Sequence, residues 1–323
     1  MQLIQAGIVG GAGYTGGELI RILINHPQVN IAFVHSNSQA GKPVASVHTD
    51  LFGDTDLNFV GELSTDIDVL FLCVGHGDAR TFLEQNEIPD SVKIIDLSQD
   101  FRPRANEREF VYGLPELNKE AIQKAKNIAN PGCFATAIQL ALLPLANAQQ
   151  LNEDVHVTAL TGSTGAGQSL SATTHFSWRN NNISVYKAFE HQHLNEIGES
   201  IQQAQPTFEK DTHFVPQRGD FARGIFASIY LKSDLTEEEA QAIFTNYYAA
   251  HPFTHVSPKN IDLKQVVNTN KCLLHVKKYG DQLAIISVID NLLKGASGQA
   301  VQNMNLLFGL PETTGLKLKA MAF

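Results

Sequence analysis

Residue types able to attack a carbonyl carbon or move a proton recur at suggestive spacings in this 323-residue sequence. Cys133 follows Asn130-Pro131-Gly132 and opens the largely apolar run 134–145. Sulfur attacks as thiolate, and a helix N-terminus together with a nearby imidazolium favours the anion. The same N-terminal amides can receive a developing oxyanion. Cys133 is therefore a candidate nucleophile, with an inert cysteine as the alternative. A base is offered by His191-Gln192-His193-Leu194-Asn195-Glu196. If the chain turns helical at His193, Glu196 lies on the same side and can orient that imidazole. Only one of His191 and His193 is expected to face the sulfur. His-x-His with Glu also holds the ingredients of a zinc site. A thiolate needs an orienting base more directly than a metal, so no metal is expected.

A second group of residues could bind phosphate. The glycines parse as Gly10-x-x-Gly13-x-x-Gly16 or as Gly11-x-Gly13-x-x-Gly16, with Tyr14 and Thr15 inside the motif. Missing side chains there let helix N-terminal amides approach a pyrophosphate. No Asp or Glu occurs between Glu18 and Asp50, where a carboxylate would bond a ribose 2′-hydroxyl and repel a 2′-phosphate. NADP is the expected cofactor, with Ser36 and Ser38 as hydroxyl donors. His76, just after an apolar strand, is a further candidate near the cofactor. The Gly/Ser/Thr-rich stretch 160–169, containing Ser163, Thr164 and Gly165, can cradle a phosphate or acyl group or form an ordinary turn.

These residues need elements to hold them. "LIQAGIVG", the glycine turn, "GELIRILINH" and "VNIAFVHS" read as strand, turn, helix, strand. Apolar runs at 68–75 and 93–98, separated by a helical stretch around "DARTFLEQN", suit a parallel sheet covered on both faces. After about residue 150 the strands alternate with polar residues, as in an antiparallel sheet with one face covered. Composition agrees: with 43% hydrophobic residues the chain can bury the cores of two domains. Its 33 acidic against 24 basic residues leave no positive surplus for a phosphate backbone, so nucleic acid is not an expected partner. No run of about 18 apolar residues suggests a membrane span, and no secretory leader pattern is read at the start. Cysteines at 73, 133 and 272 suggest neither a disulfide framework nor a zinc motif, which fits the cytoplasm. Cys73 and Cys272 read as structural.

The segments "GGAGYTGGEL", "IIDLSQDFR", "YGLPEL", "IANPGCFATAIQLALLP", "TGSTGAGQ", "HQHLNEI", "FARGI" and "DNLLKGASGQAVQ" span nearly the whole chain. In this order they resemble the N-acetyl-γ-glutamyl-phosphate reductases of arginine biosynthesis. Four positions, in three segments, differ from the family pattern. Gln168 stands for an Arg, Gln192 and Asn195 interrupt a His-Arg-His-x-Pro-Glu pattern, and Gln217 stands for a His.

The resemblance implies a Rossmann-type α/β NADP-binding domain over 1–148 and 296–323. An α+β catalytic and dimerisation domain, with a mainly antiparallel sheet, would occupy 149–295 in a homodimer or homotetramer. It implies NADPH-dependent reduction of an N-acyl-γ-glutamyl phosphate to the semialdehyde and phosphate through a Cys133 thioester. Arg102, Arg223 and the Ser163–Gly165 loop become candidates for the substrate's anionic groups. Asn291 and Lys294 become candidates near the nicotinamide half of the cofactor. Trp178 beside Arg179 suggests an N-acyl group ending in a carboxylate, such as succinyl. The alternatives are an aspartate-semialdehyde dehydrogenase, a carrier-protein-linked acyl-phosphate reductase and a catalytically silent NADP sensor.

Overall fold

The computed structural model describes residues 3–103 and 108–322. Of the expected domain spans, residues 1, 2, 104–107 and 323 lie outside the described residues. Two compact units are formed, Met1–Pro131 with Ala296–Lys317, and Gly132–Gly295 with Leu318–Phe323.

In the first unit the apolar runs become strands β1 (Ile4–Val9), β2 (Val29–His35), β3 (Phe59–Val60), β4 (Val69–Leu72), β5 (Lys93–Asp96), β6 (Phe110–Tyr112) and β7 (Asn127–Ala129). They form one parallel sheet in the order β3-β2-β1-β4-β5-β7-β6, with Ala6 opposite Ile31 and Val69. Buried strands of this kind read as continuous apolar sequence. Helices α1 (Tyr14–Leu23), α2 (Asp78–Gln85) and α3 (Pro115–Lys124) connect them. A closing helix, Gly298–Leu307, returns from the far end of the chain and is buried along its whole length. Its side-chain amides donate inside the unit: Asn303 Nδ2 donates to Gly113 O (2.8 Å) and Asn130 Oδ1 (3.1 Å), and Gln302 Nε2 to Glu312 Oε2 (2.9 Å). Buried amides need such partners, which ties this helix to one seat.

The second unit opens with α4 (Cys133–Asn147), whose interior is buried on every side from Phe134 to Ala146. Its strands are β8 (Val155–Thr161), β9 (Ser184–Val185), β10 (Thr212–Arg218), β11 (Ile225–Lys232), β12 (Thr254–Val256), β13 (Cys272–Tyr279) and β14 (Gln282–Ile289). The sheet order is β12-β13-β14-β11-β8-β10-β9, antiparallel except at β12/β13 and β10/β8. The alternation of buried and part-exposed residues along β8 gives the sheet one covered face. A one-turn helix, α5 (Phe176–Arg179), precedes β9, and helix α4 packs against β11, β14, α6 (His193–Ala204) and α7 (Glu237–Tyr248). This corrects the boundary read at 148/149: α4 is the core helix of the second unit, and the first unit ends at Pro131. A helix apolar all round needs cover on all sides, which the second sheet and its helices provide.

Candidate active site

Cys133 is the first residue of α4, and Gly132 caps the helix in extended geometry (φ −72°, ψ 154°) with no side-chain cap. The first-turn amides of a helix lack intrahelical acceptors, so they face the region around the sulfur. Helix α6 begins at His193, as the His-x-His-x-x-Glu spacing requires if Glu196 is to return beside it. Glu196 bridges two groups. Its Oε2 accepts from Gly132 N at 3.1 Å, and its Oε1 lies 3.7 Å from His193 Nε2, an ion-pair separation rather than a hydrogen bond. Gln139, one face along α4, donates to Glu196 O and Ser200 Oγ, both at 2.9 Å, and fixes α6 against α4.

The two histidines are placed differently. His191 Nδ1 accepts from His193 N at 3.2 Å, and the ring is enclosed by Phe134, Tyr186 and Phe214. Burial, followed by the charge of Lys187, holds its pKa down at about 4, so it is neutral at pH 7. His193 carries the carboxylate partner. A bound zinc would need His191, His193 and Glu196 to converge; among the described residues the three ligand-type side chains that gather within 4.8 Å are the exposed Asp154 and Asp211 with the half-exposed His213.

Gly295 packs directly on the nucleophile: a Cβ there would lie 2.8 Å from Cys133 Cβ and 3.1 Å from its Cα. It belongs to a π-helical turn, Leu293–Ser297, and its N–H donates to Asp290 O at 2.9 Å. Asp290, fully buried, accepts Arg223 Nε and Nη2 (3.1 Å each) and the amides of Asn268, Leu292 and Leu293. Asp290 went unnoticed in sequence because nothing local marks a carboxylate that gathers donors from residues 223 to 293. Tyr186 was also missed. Burial first, then the charge of Cys133, pushes its phenol up to about 12, which keeps it a neutral O–H at pH 7. The Arg218 guanidinium lies 4.7 Å over the Tyr186 ring.

Several expected substrate contacts are committed elsewhere. Arg223 is forked onto Asp290 as an internal ion pair. Arg179, buried, donates to the carbonyls of Thr173, Asn182 and Arg218 and to Ser184 Oγ while stacking on Trp178 at 4.8 Å. This corrects its reading as a ligand for a succinyl carboxylate, because a guanidinium whose two terminal nitrogens are held by four acceptors is a structural pin. Ser163 N, Thr164 N and Gly165 N donate to Phe221 O, Ala222 O and Gly162 O, so the expected backbone cradle is closed. Asn291, expected at the cofactor, accepts from Gly224 N (2.7 Å) and donates to Thr164 Oγ1 (3.0 Å); it holds that loop. Lys294 is wholly buried. In the first unit Arg102 is buried, with Nε on Asn130 O (3.0 Å) and Nη2 on Leu97 O (3.1 Å), so part of its fork is tied to main chain.

The glycine turn of the first unit has the expected form. Gly10 adopts φ +78°, and a Cβ on it would lie 2.4 Å from Cys73 O. A Cβ on Gly16 would lie 2.7 Å from both Gly10 O and Gly11 Cα, whereas one on Gly13 would meet only Gly10 O at 3.6 Å. The turn thus closes tightly on its inner side and stays open at Gly13, Tyr14 and Thr15, where α1 starts with no side-chain cap. Such uncapped amides suit a pyrophosphate. His48 Nε2 lies 2.8 Å from Gly11 O and braces the turn, a contact invisible at 37 residues' separation. Ser36 is buried at the end of β2, with its N–H on Val60 O, and Ser38 is exposed beyond it. His76 accepts from Gln99 N at 3.2 Å.

Comparison with known proteins accounts for this pairing of a glycine turn with a cysteine-led helix. The profile described as semialdehyde dehydrogenase, NAD binding domain, matches residues 5–125, and that described as semialdehyde dehydrogenase, dimerisation domain, matches 133–291. A protein of Bacteroides fragilis named N-acetyl-gamma-glutamyl-phosphate reductase is 60% identical over 99% of this chain and 100% of its own. One of the same name from Flavobacterium johnsoniae is 57% identical over equal shares. The chain belongs to the N-acetyl-gamma-glutamyl-phosphate reductase family. Among solved structures, aspartate semialdehyde dehydrogenase II of Vibrio cholerae superposes with a TM-score of 0.72 at 17% identity, covering 96% of this chain and 99% of that one. The aspartate semialdehyde dehydrogenase of Candida albicans gives 0.67 at 14%, covering 95% and 99%. The reductase family therefore shares its fold with those enzymes. At such identity the likeness is one of fold.

Proposed function

We propose that this protein reduces an N-acyl-γ-glutamyl phosphate to the N-acyl-glutamate 5-semialdehyde and phosphate, with NADPH, in arginine biosynthesis. The observation that carries this is Cys133 at the N-terminus of α4 with Glu196 tying its cap residue to His193. Cys133 Sγ attacks the γ-carbonyl carbon as thiolate, and α4 first-turn amides receive the oxyanion. The carbon–oxygen bond to phosphate then breaks, leaving a thioester on Cys133. Gly10, Gly13, Tyr14, Thr15 and Gly16 would hold NADPH, with Ser36 and Ser38 as donors for a 2′-phosphate, and the bound cofactor would supply the hydride. His193, oriented by Glu196, gives a proton to the thiohemiacetal oxyanion and takes it back as the carbon–sulfur bond breaks and the thiolate returns. His191 stays neutral and packs the site.

The relatives' name makes acetyl the acyl group to test first, with succinyl beside it. The decisive assay is phosphate-dependent reduction of NADP with N-acetyl- or N-succinyl-glutamate semialdehyde, for wild type and Cys133→Ala. Turnover by wild type and its loss in the variant is the expected result. Absence of wild-type turnover with both aldehydes overturns the reading. The description of the second profile as a dimerisation domain supports a homodimer or homotetramer, which sedimentation equilibrium measures. Among the described residues no helix is long and apolar enough to cross a membrane, and we place the enzyme in the cytoplasm.

A further inference from the structure

The second unit contains three arginines, Arg179, Arg218 and Arg223. Two are committed: Arg223 to Asp290, and Arg179 to three carbonyls and a hydroxyl. Arg218 differs. It ends β10 and is half-buried; like Arg179 Nε its Nε meets no acceptor among the described residues, but its guanidinium interacts with the Tyr186 phenol where Arg179's terminal nitrogens are held by main chain. A buried guanidinium donor without an acceptor is costly, and the usual resolution is a ligand that supplies one. Its own carbonyl, by contrast, accepts from Arg179 Nη1 at 2.7 Å, so the backbone beneath the side chain is fixed.

The position is at the reacting site. Arg218 lies 4.7 Å over the ring of Tyr186, whose centroid is 5.8 Å from that of His191, itself 4.6 Å from the His193 ring. Tyr186 is held in turn by its N–H on Pro216 O, and β9 pairs with β10 through Val185 opposite Gln217 and Ser184 opposite Arg218. A phenol ring therefore stands against the histidine pair with a guanidinium stacked on it. The substrate proposed above carries two anionic groups. The phosphate is bonded to the carbon under attack, whereas the α-carboxylate is four carbon–carbon bonds away, roughly 5 Å, within the width of a ring and its stacked neighbour.

We propose that Arg218, seated on Tyr186, binds the α-carboxylate of the N-acyl-glutamyl substrate and so selects glutamyl derivatives over acyl phosphates lacking that group. This rests on the reductase reading above. A forked guanidinium matches a carboxylate in two parallel hydrogen bonds, and stacking on Tyr186 pre-orients the fork.

The test uses the full-length enzyme in the phosphorylating direction. Arg218→Met is expected to raise KM for N-acetylglutamate semialdehyde at least about tenfold, near 1.4 kcal/mol, while KM for phosphate changes by less than about twofold. With 4-acetamidobutanal, which carries hydrogen in place of the carboxylate, wild type and Arg218→Met should turn over equally. Arg218→Lys, which keeps the charge without the fork, should fall between them and guards against a misfolded Met variant. An unchanged melting temperature and an unchanged rate of Cys133 alkylation verify the site. A rise confined to KM for phosphate, or equal losses with both aldehydes, overturns the proposal while leaving the reductase reading intact. Wild type inactive on the glutamate semialdehyde overturns both.

Discussion

At the scale of single residues, the site separates groups that react from groups that only hold them. Glu196 serves two neighbours, so Glu196→Gln should keep the fold but weaken the orientation of His193; kcat is expected to drop about 10²-fold or more with KM for NADPH unchanged, as measured by steady-state kinetics. The thiols differ as sharply. Burial pushes Cys73 up to about 12, whereas Cys133 is part-exposed at a helix start. Iodoacetamide at pH 8 should therefore label Cys133 and spare Cys73 in the native protein, read by peptide mass spectrometry. His191 sets a pH dependence. Its pKa falls from 6.5 to about 4 on folding, so the unfolded chain binds more protons between those values. The stability due to its neutral burial is complete above pH 6.5 and is lost as pH falls toward 4. Asp96, raised to about 6 by burial, works in the opposite direction over much of that window. The readout is thus the difference between wild type and His191→Asn in urea midpoints at pH 7 and pH 5, and the variant should show the smaller acid loss.

At the scale of elements, two glycine contacts position the chemistry. The π-helical turn can seat Gly295 on Cys133 only because no Cβ intervenes. Gly295→Ala should displace the turn or the sulfur, costing roughly 1–3 kcal/mol of stability and at least about tenfold in kcat. Gly16→Ala should open the cofactor turn, because its Cβ would fall 2.7 Å from main-chain atoms of Gly10 and Gly11. A raised Kd for NADPH, measured by fluorescence quenching, is the expected result. The starts of α4 and α6 were legible in sequence, since Pro131-Gly132 breaks the chain before Cys133 and the His193/Glu196 spacing suits one helix face. The strands β3, β6 and β7 were not, because two or three residues carry no period.

At the scale of the whole molecule, each unit closes with residues distant in sequence. The first unit is incomplete without 296–317, whose helix brings Asn303 to Gly113 and Asn130. Asn130 Nδ2 also donates to Ala296 O at 3.1 Å, so the two segments meet where the chain leaves and re-enters the unit. Residues 3–131 joined to 296–317 by a short glycine-serine linker should fold cooperatively and bind NADPH without reductase activity. Residues 3–131 alone should give no cooperative thermal transition by circular dichroism, since their sheet and helices would leave the seat of the closing helix open to water.

The order of the residues determined the glycine turn, the helix led by Cys133 and the pairing of His193 with Glu196, because each depends on neighbours within a few positions and on the period of a helix or strand. Tertiary structure alone decided what the arginines do. Arg223 meets Asp290 across 67 residues and Arg179 meets the carbonyl of Arg218 across 39. A guanidinium has the same charge and reach wherever it stands in a sequence. Whether it pins main chain or awaits a ligand depends on the acceptors that the folded chain brings to it.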